Sequence, residues 1–121
     1  MIKVFNVEYD HEAKEADVEL LSDDVSIKCY CHPLDNLKEL NQLIHNELIA
    51  FNVNNVMAVD KAYVPAAIKT DESYYSYNLV GIVVDKTKIK INDFIIDIGY
   101  IPKDISVGSI ISCDCLRIDI Y

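Results

Sequence analysis

The chain has 121 residues, enough for one domain to bury a core without disulfide or metal staples. Hydrophobic residues make up 51% of it, with three glycines and three prolines, a composition that excludes a disordered chain. Lys and Arg number 11 against 20 acids, a net charge of −9 that argues against a nucleic-acid partner, because phosphate backbones are bound by basic side chains.

The acids crowd the start of the chain. Glu8, Asp10, Glu12, Glu15, Asp17, Glu19, Asp23 and Asp24 face only Lys3 and Lys14 across residues 1–24. Such a face serves solubility, or it steers a basic partner protein. The first residues, MIKVFNVEYD, alternate rather than run apolar, so they do not read as a signal peptide. No stretch approaches the ~18 apolar residues of a membrane span. The expectation is a cytoplasmic protein with reduced cysteines and no membrane partner.

Taken in order, the first third reads as β. In Ile2 to Tyr9 the apolar positions move from even to odd, which a bulge explains. His11 to Lys14 is a polar turn. Ala16, Val18 and Leu20 then alternate with Asp17 and Glu19, a strand with an acidic outer face. After the turn Ser22-Asp23-Asp24, the residues Val25, Ile27, Cys29 and Cys31 share one strand face. Pro33 closes this three-strand meander. Asn36 and Glu39 fit a capping box ahead of Leu37, Leu40, Leu43, Ile44 and Leu48, so the spacing predicts one amphipathic helix over residues 36–50.

Residues 51–59 look extended and 60–73 read as a loop with an apolar island. Tyr74 to Val84 reads as a long strand in which Gly81 marks a bend or bulge. Shorter strands follow around Ile89–Ile91 and Phe94–Ile98, separated by Asn92-Asp93. In Ile110 to Tyr121 the core face passes from odd to even positions, predicting a bulge near residues 115–116. The expected fold is a β-rich α+β domain spanning 1–121: a small antiparallel, barrel-like sheet of about seven strands with one helix. The meander–helix–strands order loosely resembles the oligonucleotide/oligosaccharide-binding fold in topology, a likeness that implies no ligand.

All four cysteines fall in two Cys-x-Cys pairs, Cys29/Cys31 and Cys113/Cys115. A zinc centre, redox or disulfide chemistry, and a packed core are the alternatives. Residues i and i+2 of a strand stand about 6.7 Å apart, too far for easy chelation of one ion. Cys113 and Cys115 flank Asp114, and only Lys28 and the more distant Arg117 offer the positive charge that activates a thiol. The spacing favours reduced core cysteines on two inward-facing strands, adjacent ones being the simplest arrangement. A structural zinc or redox module on these four residues is the alternative.

No nucleophile elbow, zinc-protease motif or glycine-rich phosphate loop is present, and no cofactor is expected. Tyr74, Tyr75 and Tyr77 form the densest aromatic cluster, and tyrosines beside acids are common interface anchors. The leading expectation is a non-enzymatic, acidic protein-binding domain. Its contact residues would be Asp17, Glu19, Asp23 and Asp24 for charge, and Tyr74, Tyr75 and Tyr77 for aromatic contact. In size and charge the chain is similar to small bacterial inhibitor or immunity proteins that cap a basic toxin or nuclease. A small-ligand barrel, or an enzyme whose groups converge from distant segments, is the further alternative.

Overall fold

The computed structural model describes residues 1–32 and 47–121. The meander forms where the alternation places it, as β1 (Lys3–Asp10), β2 (Glu15–Ser22) and β3 (Val25–Cys31). The β1–β2 ladder shifts register between Val4 and Asn6, at the residue where the apolar pattern changes parity. Beyond that bulge Val7 pairs with Val18 toward the core, while Glu8 pairs with Asp17 on the other face. Asp23 takes φ 52° in the β2–β3 turn, a left-handed position that Asp tolerates better than most residues.

The remaining described elements are β4 (Leu48–Phe51), β5 (Asn54–Ala58), β6 (Ala66–Lys69), β7 (Tyr77–Val83), β8 (Lys88–Ile91), β9 (Phe94–Asp97), β10 (Ile110–Cys115) and β11 (Arg117–Ile120). All eleven join one sheet, in the order β1-β2-β3-β11-β4-β9-β8-β7-β10-β5, with β6 paired to β7 beside that path. The ladders β3–β11 and β4–β9 are parallel and the others antiparallel.

This corrects the expected architecture. The sheet is open and mixed, with β1 and β5 as its ends, rather than a closed antiparallel barrel of seven strands. Nor does it follow the loosely considered oligonucleotide-binding topology. Among the described residues there is no helix. The helix expected over 36–50 falls, as far as residue 46, outside the described residues, and its end is strand: Leu48 to Ala50 belong to β4 and pair with β11. Leu48 and Ala50 are buried with Ile49 half-exposed between them, a period of two that the helical template absorbed as one more apolar hit.

Two further differences have local causes. The long final strand divides at Leu116, whose N–H donates to Phe51 O at 3.0 Å. Its first half joins β7 and β5, and its second half crosses to β3 and β4. The parity change at 115–116 therefore marks a change of neighbours. Gly81 sits where β7 exchanges β6 for β8 along one edge. A Cβ there would meet Lys90 O at 3.0 Å and Ile89 Cβ at 3.1 Å, so the glycine is required by close strand approach.

The interior is one cluster of aliphatic side chains with Phe94 and Tyr77, drawn from every strand except β5 and β6. Cys29, Cys31, Cys113 and Cys115 all lie within it. No described helix is long and apolar enough to cross a membrane.

Candidate functional site

The outer face of the meander carries the acids in register. Glu8 stands opposite Asp17 and Asp10 opposite Glu15, both like-charged cross-strand pairs. Directly opposed like charges destabilise a sheet. Glu19 lies between Asn6 on β1 and Lys28 on β3, and Asp17 lies between Glu8 and Tyr30.

Onto this face folds the segment just before β7. Tyr74 and Tyr75 are not part of a strand, which corrects the expected continuous run from residue 74; they occupy a turn that a knot of hydroxyls holds. Ser76 is fully buried, and its Oγ accepts from Thr70 Oγ1 at 2.7 Å and from Ser73 N–H at 2.9 Å. Ser73 Oγ in turn donates to Leu116 O at 2.8 Å, fixing the turn to the β10–β11 junction. Ser and Thr side chains that bond nearby backbone stabilise turns of this kind.

The knot delivers Tyr75 to the acids. Its hydroxyl donates to Asp17 Oδ1 at 2.5 Å, and its ring packs edge-on against Tyr30 with centroids 6.0 Å apart. Burial and the bond to Asp17 push the Tyr75 phenol well above its usual range. Tyr30 donates to Glu15, and that bond is the first cause of a phenol pKa raised to about 12. Tyr74, 56% exposed, stacks edge-on against Tyr75 at 4.9 Å. Its hydroxyl accepts from Lys28 Nζ at 3.1 Å, and this contact raises the lysine pKa, with Glu19 and Glu8 adding to the effect. A cleft of about 190 Å³ lies among Glu8, Asp10, Glu15, Asp17 and Tyr75.

Four of the residues singled out from sequence thus come together: Asp17, Glu19, Tyr74 and Tyr75. Asp23 and Asp24 stay apart from them in the exposed β2–β3 turn. Tyr77 is a core residue, 6% exposed, and its hydroxyl accepts the Lys28 N–H at 2.8 Å. It satisfies a β3 amide beyond the ladder to β11, which covers only Tyr30 and Cys31. Sequence reasoning missed Tyr30 and Lys28, and took Glu15 only as one acid of the charged face. The signal for Tyr30 was available, since it shares its strand face with Lys28, opposite the acids of β2.

Beside Tyr30 the chain neutralises its own arginine. Arg117 donates to Asp119 through Nε at 2.6 Å and Nη2 at 2.8 Å, and its guanidinium lies 4.6 Å from the Tyr30 ring centroid. Asp119 is buried, so the fork satisfies a carboxylate removed from water.

The cysteines form no comparable site. None of the four is in a disulfide and all are buried, on strands that are not sheet neighbours: β3 lies between β2 and β11, and β10 between β7 and β5. Burial raises every thiol, Cys113 to about 12 and Cys115 to about 11, against the thiolate that zinc or nucleophilic chemistry uses. Among the described residues no group of three or more His, Cys, Asp or Glu side chains is placed to hold a metal ion. No protein-family model matches the chain, and no curated protein or solved structure is significantly similar to it.

Proposed function

We propose that this protein is a binding domain for a basic partner protein, which docks on the acidic outer face of β1–β3 and the adjoining tyrosine turn. An inhibitor or immunity-type role, masking a cationic surface, fits that reading. The observation that carries it is the meeting of Tyr75 with the Glu8–Asp17 and Asp10–Glu15 pairs, with Tyr74 stacked beside it on Lys28, from segments far apart in sequence. The like-charged pairs cost the isolated fold stability, and a cationic partner relieves that cost on binding. Tyr74 and Tyr75 supply rigid, amphipathic contact area at low entropic cost, already ordered by the hydroxyl knot.

An oligoarginine peptide titrated into isotopically labelled protein locates the face by amide shifts. Saturable shifts concentrated at residues 6–19, 28–30 and 74–75 are expected. Shifts spread evenly over the acids of distant turns, such as Asp60, Asp85 and Asp104, would overturn the proposal.

A further inference from the structure

A second cleft, made of other residues, lies between the β7–β8 turn and the connector 98–109. Its volume is about 440 Å³. That falls within the ~300–1,000 Å³ typical of small-molecule sites. Val83, Ile101, Ile105 and Val107 line it with aliphatic surface, and Lys86 and Lys103 line it with charge. Val107 is 68% exposed and the neighbouring Tyr100 63% exposed, so apolar surface is left in water around the opening.

The walls are fixed by backbone bonds. Gly108 N–H donates to Val83 O at 2.8 Å, Val83 N–H to Ser109 O at 2.9 Å, and Ile98 N–H to Thr87 O at 2.8 Å. Ile105 N–H closes a turn onto Pro102 O at 3.0 Å. Gly99 and Gly108, with φ of +80° and +93°, bend the connector near its two ends in a conformation side chains disfavour.

The charge arrangement selects the ligand. Asp85, also in the lining, turns its Oδ1 to the Thr87 and Lys88 amides at 2.9 and 3.0 Å, and its single negative charge is outnumbered by two lysines. Lys86 and Lys103 enter no ion pair among the described residues, in a chain where acids outnumber bases by 20 to 11. Two ammonium groups beside an aliphatic floor are complementary to an acid group on an apolar body. We infer that this cleft binds a small amphiphilic anion, a carboxylate or related acid on a hydrophobic skeleton. The site shares no residue with the proposed docking face and stands independently of it.

Decanoate, below its micellar concentration, is a suitable probe, with decyltrimethylammonium as its charge-reversed counterpart. Decanoate is expected to cause saturable amide shifts at Val83, Lys86 and between Gly99 and Val107. The double variant Lys86→Gln/Lys103→Gln, altering two exposed side chains, should keep the wild-type spectrum and bind decanoate about fivefold more weakly. Decyltrimethylammonium should give no saturable shift in the cleft, although the net charge of −9 attracts it. Non-saturable decanoate shifts, undiminished affinity in the double variant, or equal binding of the cation would each overturn the assignment.

Discussion

Cys113 and Cys115 face the core along β10, and burial is the first cause of their raised thiol pKa values, about 12 and about 11 against an ordinary 9.0. Their unfolded values are the lower ones, so the unfolded chain gives up thiol protons first. The stability they contribute is complete below about pH 9 and is lost as pH rises toward 12; Tyr30, raised from 10.0 to about 12 by its bond to Glu15, adds to the loss above pH 10. The urea midpoint should hold steady to pH 9 and fall between pH 9 and 12. At pH 8 a thiol reagent should label none of the four cysteines in native protein and all four in denaturant. Rapid native labelling would mean that the thiols are not core residues. Their burial was legible in sequence, because Ile27 and Ile111 share their strand faces. Their mutual position was not: β3 and β10 are not sheet neighbours, and strand order is fixed by long-range pairing that alternation does not encode.

At the scale of elements, the like-charged pairs of β1–β2 separate stability from binding. Glu8→Lys places a cation opposite Asp17 and should stabilise the protein by about 0.5 kcal/mol in urea unfolding. The same change should weaken oligoarginine binding, whereas a stability loss would show that Glu8 makes a structural contact. Gly81→Ala acts oppositely. Its Cβ would press on Lys90 O across the β7–β8 ladder, and a loss of about 1–3 kcal/mol is expected in the same measurement. The special character of Gly81 could be read from sequence as a break in a strand, while the close approach behind it depends on which strand lies alongside. The strand β6 escaped notice because Ala66 to Lys69 follows a proline and lacks alternation, yet it pairs with β7 along four residues. The turn Thr70–Ser76 was legible only as polar composition. Its hydroxyl bonds, which turn Tyr75 onto Asp17 and Tyr74 onto Lys28, arise from folded geometry.

For the whole molecule, net charge and its placement make different predictions. A chain at −9 attracts any cation, whereas a docking face does so from one side, where Glu8, Asp10, Glu15, Asp17 and Glu19 share the outer surface of one hairpin. Charge excess was visible in composition and its crowding in the first residues. The aromatic complement was visible too, but its position on the same face required the fold. The most direct measurement compares association rates of a labelled oligoarginine peptide, by stopped flow at low salt, for two variants of equal charge. Asp17→Asn/Glu19→Gln should slow association roughly threefold or more, while Asp60→Asn/Asp104→Asn leaves it near the wild-type rate. Equal slowing by both variants would show that only net charge matters and would contradict a docking face on β1–β3.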